Sequence, residues 1–223
     1  WSSWNHFGMR VSAPLLLAVA DELDSRGLKD SGYVYVNTDD GWNDKNRTAG
    51  RSGALHPATT FSNASEGIKA LADGLRAKGF RFGIYLAAGF TTGGKRAGSL
   101  YYERQDAAQI AAAGVDYLKY EDCGEANLQS YAKYHVMKDA LDSAYAFRGG
   151  VDYYSFEPFQ VYNGVAIQEM GWTATVGDLW RTGGDIRPGW KSIMSNAHAN
   201  DHWAPNGRPG HYNDADMLEI GNG

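Results

Sequence analysis

Carboxylate side chains follow several short apolar segments of this chain. They are Asp39, Asp40, Glu121, Glu157, Asp185, Asp214 and Asp216. Each apolar segment comes after a stretch with helical spacing, which is the alternation found in a β/α barrel. The carboxyl ends of the strands of such a barrel surround one mouth, where catalytic residues collect. Because paired carboxylates are the groups that cleave glycosidic bonds, the pattern predicts a site for sugar hydrolysis at this mouth.

Hydrophobic periodicity predicts the elements that must position these acids. Apolar residues recur at helical spacing in segments 13–24, 66–78, 103–113 and 128–144. A strand-like run follows each of these segments, at 33–37, 81–86, 116–120 and 151–156. The stretch up to Asn63 has no strong period and predicts a long loop after the first of these strands. The alternation predicts a parallel sheet.

Three further segments complete the set of strand candidates. They are 4–7, 179–182 and 211–214, which gives seven candidates in all. A complete eight-fold barrel usually needs about 250 residues. The expected fold class is therefore α/β, a TIM-type (β/α)8 barrel truncated before its eighth strand.

Composition and charge narrow the classes of protein. The chain of 223 residues is 43% hydrophobic, so we expect a single domain over residues 1–223. A net charge of −5, from 21 basic and 26 acidic residues, comes without a basic run, and nucleic acid is therefore not an expected partner. No apolar run approaches the roughly 20 residues that cross a bilayer, so no membrane partner is expected either. The single cysteine, Cys123, cannot form an internal disulfide.

Six motifs follow one another along nearly the whole chain. They are WSSWNHFG, VNTDDGW, FGIYLAAG, DYLKYEDC, WRTGGDI and HYNDADML. In this order they resemble glycoside hydrolase family 27, the melibiase family of α-galactosidases. The resemblance implies a catalytic barrel without the family's C-terminal β-sandwich, and it implies no metal and no organic cofactor. It also favours a secreted or lysosomal-type compartment.

The resemblance implies two catalytic carboxylates. The family's nucleophile is an Asp after Lys-Tyr or Lys-Phe and its acid/base is an Asp in the WR…DI segment, which match Glu121 and Asp185. Glu121 departs from the pattern, because its extra methylene extends the carboxylate by about 1.5 Å. Asp122 is the alternative nucleophile, but adjacent strand residues point to opposite faces, which favours Glu121 if Lys119 faces the lumen. On spacing alone, Asp185 could instead cap the following helix.

A set of sugar-binding positions is also implied by the resemblance. Asp39 and Asp40 match the pair that holds the C4 and C6 hydroxyls of galactose, although by residue type they could form a turn, a cap or a metal pair. Glu157 matches a position that admits only a free 2-hydroxyl, and an exposed loop acid is the alternative. Cys123 matches a half-cystine whose partner position is Gly93, so the family's disulfide should be missing. The substrate-binding positions are Trp4, Asp39, Asp40, Tyr85, Lys119, Glu157, Arg181, Asp216 and Met217.

Three of these positions have a structural alternative. Trp4 and Met217, taken alone, could be ordinary core residues. Arg181 could pair with Asp185, four residues later, instead of contacting a sugar hydroxyl. Only contacts in a structure can separate these interpretations.

The expected function is that of a retaining exo-glycosidase that removes terminal α-linked D-galactose. Two related activities are alternatives, α-N-acetylgalactosaminidase and β-L-arabinopyranosidase. A catalytically weak galactose-binding module is a further alternative, because Glu121 replaces the usual Asp. The last alternative is a fragment that can fold only together with the missing eighth strand.

Overall fold

Within the described residues, six parallel strands form one sheet. The computed structural model describes residues 1–48, 53–61, 67–123, 128–148, 151, 153–157 and 170–218. The strands are β1 (Tyr35–Asn37), β2 (Arg81–Ala87), β3 (Tyr117–Glu121), β4 (Tyr153–Glu157), β5 (Leu179–Arg181) and β6 (Tyr212–Asp214). Each strand pairs in parallel with the next one along the chain. This order is that of a TIM-type barrel, as the alternation predicted.

Helices connect the strands. They are α1 (Trp4–Phe7), α2 (Ala13–Ser25), α3 (Ile68–Ala77), α4 (Glu103–Ala113), α5 (Ser130–Ala144), α6 (Thr173–Val176) and α7 (Trp190–His202). Local sequence sets some of their ends: Ser12 accepts a hydrogen bond from the Leu15 N–H at the start of α2, and Gly114 ends α4 at φ 81°. Among the described residues, no helix is both long and apolar enough to cross a bilayer.

Apart from the first strand candidate, the predicted helices and strands agree with the structure to within a few residues. The helix predicted over 66–78 begins at Ile68, and Glu66 lies outside the described residues. The strand predicted over 33–37 begins at Tyr35. In the run 151–156, the strand starts at Tyr153, and residue 152 lies outside the described part.

The first predicted strand, 4–7, is wrong. This segment forms the short helix α1, and the three residues before it pair with β1 instead. The N-terminal ammonium of Trp1 donates to the Tyr35 carbonyl at 2.9 Å, and Ser2 forms a parallel bridge with Asn37. The pairing therefore lies three residues earlier than the pattern suggested, because the chain turns into a helix directly after Ser3.

The core lies between the sheet and its helices. The helices contribute Leu16, Ala20 and Leu23 from α2, Leu71, Ala72 and Leu75 from α3, Ala107, Ile110 and Ala111 from α4, and Tyr134, Met137 and Leu141 from α5. These spacings of three and four residues place each set on one helical face. Six of the seven residues of β2 are buried, as expected for a strand covered on both sides.

A buried ion pair fastens the long loop after β1. Both terminal guanidinium nitrogens of Arg47 donate to the fully buried Asp106 of α4, at 2.7 and 2.6 Å. The same guanidinium donates to the carbonyls of Gly53 and Gly98 and stacks on the Tyr102 ring, 4.0 Å from its centroid. Two loops at the carboxyl ends of neighbouring strands are thereby held together.

Candidate active site

Most of the predicted site residues lie at the carboxyl ends of the strands. Tyr85 in β2 is in register with Lys119 in β3, and Ala87 is in register with Glu121. Lys119 and Glu121 are two residues apart on one strand, so their side chains leave the same face of the sheet. Arg181 of β5 is in register with Asp214 of β6. The sheet thus presents a row of charged groups at one edge.

Asp39 and Lys119 form an ion pair in this row. The Lys119 Nζ lies 2.9 Å from Asp39 Oδ2, and the Asp39 side chain is only 4% exposed. Ser3 accepts a hydrogen bond from the Asp39 N–H at 2.9 Å, which ties the start of the chain to the mouth. The Lys119 Nζ also lies 5.4 Å from the centroid of the Tyr85 ring. These contacts fix the direction of the ammonium group.

Asp40 anchors the loop after β2. Its Oδ1 accepts from the Gly41 N–H at 2.7 Å and from the Thr92 hydroxyl at 2.9 Å, and its Oδ2 accepts from the Gly94 N–H at 2.6 Å. A Cβ at Gly94 would lie 2.5 Å from Met9 Sδ, so a larger residue would not fit without movement. Burial raises the pKa of Asp40, and these three hydrogen bonds oppose that rise.

Thr92→Val should destabilise the protein more at neutral pH than at acidic pH. The raised pKa of Asp40 means that its contribution to folding is most favourable at low pH and is lost as pH rises through the folded-state pKa. Valine removes a donor to the ionised form and raises this pKa further. We expect a loss of about 1–3 kcal/mol near neutral pH, measured by urea unfolding, and a smaller loss at about pH 4.

Thr92→Ser is the matched control for this prediction, because it keeps the hydroxyl. The Thr92 Oγ1 also accepts from the Arg96 N–H at 3.0 Å, and the loss of this bond contributes equally at both pH values. An equal cost of Thr92→Val at the two pH values would show that its bond to Asp40 does not favour the ionised carboxylate.

Glu121 is held by Tyr85. The Tyr85 hydroxyl, on a ring only 1% exposed, donates a hydrogen bond to Glu121 Oε2. Burial raises the pKa of Tyr85 well above its usual value, so the hydroxyl remains a donor. The arrangement holds one carboxylate oxygen in a defined position on the lumen face of β3.

Cys123 lies beside this pair as a free thiol. Its Sγ is 3.4 Å from the Tyr85 hydroxyl and 3.9 Å from Glu121 Oε2. Burial and the neighbouring Glu121 charge raise the pKa of this thiol to about 12, and hydrogen bonding with the Tyr85 hydroxyl and the Gly93 backbone opposes the rise. The sequence contains no second cysteine with which this thiol could form a disulfide within the chain.

Asp122 points away from Glu121. Its carboxylate accepts from the Ser130 hydroxyl at 2.5 Å and from the Lys133 ammonium, both on α5. The side chains of Asp122 and Lys133 are 10% and 4% exposed. Of the two adjacent acids, the structure therefore brings Glu121 to Tyr85 and Asp122 to the helix behind the sheet.

Arg181 joins two loops at the other side of the mouth. One guanidinium nitrogen lies 3.2 Å from Asp185 Oδ1 and 3.2 Å from Asp216 Oδ2. Asp216, at a positive φ of 77°, also accepts from the N–H groups of Ile186 and Met217, at 2.7 and 2.8 Å. The strained backbone of Asp216 is thus fixed by three contacts, and it links the loop after β5 to the loop after β6.

Asp185 is the most exposed of these acids, with 57% of its side chain accessible. It does not cap α7, because that helix begins at Trp190 with Gly189 at its N-cap and no side-chain cap bond. The pairing with Arg181, an alternative from the sequence, is present. Asp185 is therefore an accessible carboxylate at the mouth, held by one cation.

Three sequence candidates remain to be placed: Trp4, Met217 and Glu157. Trp4 is in α1 and is 36% exposed. Met217 follows Asp216 and meets it through its backbone N–H. Glu157 ends β4 in register with Glu121, but its side chain lies outside the described part of the structure.

Thr92 and Gly94 belong to the site, but no sequence motif predicted a role for them. The segment GFTTGG has the composition of a flexible loop, although its Thr-Gly-Gly run after a strand supplies a hydroxyl and a close backbone N–H.

Asp214 was predicted among the acids of the mouth, without a role of its own. Burial raises the pKa of Asp214, and also raises that of Tyr117 nearby to about 12. Within the described ranges, no cluster of three His, Cys, Asp or Glu residues is arranged to hold a metal ion.

The fold and the site define a protein of the β/α-barrel class whose charged groups gather at the carboxyl ends of its strands. A family profile, Melibiase_2, described as alpha galactosidase A, matches residues 7–223. The chain therefore belongs to this family, as the order of its motifs predicted.

Individual relatives agree with this assignment. Alpha-galactosidase 2 of Arabidopsis thaliana is 38% identical over the whole chain, which covers 53% of that protein. The alpha-galactosidase of Coffea arabica is 41% identical, with 56% of it covered. The solved α-galactosidase MEL1 of Saccharomyces cerevisiae has a TM-score of 0.87 at 31% identity, and the match covers all of this chain and 52% of that one. An α-galactosidase from the same yeast, solved with raffinose, has a TM-score of 0.83 at 31% identity and is likewise 52% covered. The chain spans about half the length of these relatives.

Proposed function

We propose that this chain is the catalytic barrel of a retaining exo-glycosidase that removes terminal α-D-galactosyl residues from oligosaccharides or glycoconjugates. The observation that carries the proposal is the placement of Glu121 against Tyr85 on one side of the mouth, with the accessible Asp185 on the other. Membership of the alpha galactosidase A family and the names of the relatives support it. Residues 1–223 form a single domain in this proposal.

Glu121 acts as the nucleophile. Its carboxylate attacks the anomeric carbon and forms a galactosyl ester, while Asp185 gives its proton to the departing glycosidic oxygen. Water then attacks the ester, and Asp185 takes a proton from that water. The Tyr85 hydrogen bond orients the attacking carboxylate and spreads part of its charge. No metal or organic cofactor takes part.

Asp39, Asp40 and Lys119 recognise the galactose. Asp39 and Lys119 present oxygen and nitrogen atoms within one ion pair, which suits adjacent hydroxyl groups of a sugar. Asp40 already accepts three protein hydrogen bonds, so its first role is to hold the loop that closes this side of the pocket. The proposal also gives substrate contacts to Trp4, Glu157, Arg181, Asp216 and Met217.

A galactose-binding module with little turnover is the second candidate. The observation that favours it is the longer side chain of Glu121, which is drawn to Tyr85 and could place the attacking oxygen off the reaction path. This candidate predicts binding of galactose without release of product.

Hydrolysis of an aryl α-galactoside by the folded chain, with the product anomer followed by NMR, separates the two. Retaining turnover gives α-galactose first. Binding of galactose without hydrolysis would favour the module, and initial β-galactose would contradict a retaining mechanism. Cooperative unfolding of the sample confirms beforehand that it is folded.

A further inference from the structure

A groove lies next to Asp185, between the loop after β5 and the first turns of α7. Its volume is about 590 Å³, within the range of small-molecule sites. Asp185 forms part of its wall, together with Arg187, Trp190, Lys191 and Ser192. The groove is therefore continuous with the carboxylate that the proposed mechanism uses as acid.

The groove has a fixed floor and rim. Asn196, which is 6% exposed, donates to the carbonyls of Gly184 and Ala215, at 2.9 and 3.1 Å. The Ser192 hydroxyl accepts from the Arg187 N–H at 2.8 Å. These bonds tie the loop after β5 to α7, so the shape of the groove is set before any ligand enters.

Trp190 presents an apolar surface in this groove. It is the first residue of α7, and 74% of its surface is exposed. An indole of this size would normally gain by burial, so its exposure in an open, largely apolar groove indicates a binding role. A flat aromatic face suits the C–H face of a sugar ring, and the neighbouring Ser, Lys and Arg side chains can bond hydroxyl groups.

We propose that this groove is the subsite for the leaving part of the substrate, and that Trp190 stacks on a neutral hexopyranose ring there. The reason is geometric: an acid that protonates the glycosidic oxygen must lie beside the group attached to that oxygen. Whatever leaves must therefore sit along the Asp185 side of the mouth. This inference rests on the proposed function, and it makes Trp190 a specificity-determining residue for galactosides whose leaving group is a sugar.

The test compares leaving groups with and without a ring. The experiment measures kcat/KM on α-galactosyl fluoride and on melibiose for three proteins: the parent chain, Trp190→Ala and Trp190→Phe. Trp190→Ala should lower kcat/KM for melibiose about tenfold to a hundredfold and leave that for α-galactosyl fluoride unchanged. Trp190→Phe should recover most of the loss. Tyr33→Ala, at a similarly exposed aromatic residue before β1, is the control and should change neither.

Binding measurements keep the test independent of turnover. By calorimetry in the Glu121→Gln background, which cannot cleave the disaccharide, melibiose should bind more tightly than galactose, and adding Trp190→Ala should remove this difference. Equal losses on both substrates, or no loss on either, would overturn the subsite. If the parent neither turns over α-galactosyl fluoride nor binds galactose, the proposed function fails, whereas galactose binding with no preference for melibiose overturns the subsite alone.

Discussion

Replacing Glu121 by Gln is expected to lower kcat for an aryl α-galactoside by about a thousandfold or more. The amide has nearly the shape of the carboxylate and can still accept the Tyr85 hydrogen bond, so the fold should be unaffected. It cannot form the ester intermediate. Mass spectrometry of the parent, trapped with a slow 2-fluorinated galactosyl substrate, should show a covalent sugar on the peptide that contains Glu121.

Glu121→Asp is the informative companion variant. Its carboxylate is shorter by about 1.5 Å and has the length that the family motif carries at this position. We expect it to turn over the aryl galactoside at least as fast as the parent. Glu22→Gln, on the exposed face of α2, is the control and should have parental activity. Parental turnover in Glu121→Gln would remove Glu121 from the chemistry.

The alternation of helices and strands was predictable from sequence because it depends on local spacing. In β2, six buried residues in a row give a strong signal, and α3 places its apolar residues on one face. The prediction of a strand over 4–7 failed because this segment is short and its residues are compatible with either a strand or a turn of helix. Its structure is decided by the pairing of residues 1–3 with β1, which no local pattern records.

The types of the site residues were predictable, but most of their partners were not. The pleat of a strand separates Glu121 from Asp122, and the contacts to Tyr85 and to Lys133 agree with it. By contrast, Asp40 meets Thr92 and Gly94 across more than fifty positions. Such contacts depend on how two loops fold over the mouth. The composition of the loop after β2 shows only that it is rich in glycine.

Loss of the buried charge at Asp122 is expected to cost about 3–5 kcal/mol of stability. The Lys133 ammonium is 4% exposed and pairs with this carboxylate behind the sheet, so Asp122→Ala leaves a buried cation without its partner. Urea unfolding measures the loss. The fraction that stays folded should keep the parental kcat, since Asp122 follows β3 and pairs with α5, away from Glu121.

The same helix provides a matched control for this prediction. Lys138 and Asp142 form an exposed pair on α5 with side chains 33% and 61% accessible, and Asp142→Ala should cost only about 0.5 kcal/mol or less. Replacing both buried partners, Asp122→Leu with Lys133→Met, should recover much of the lost stability because no charge is then left unpaired. A small cost for Asp122→Ala together with a collapse of kcat would instead assign Asp122 to the reaction and move the nucleophile away from Glu121.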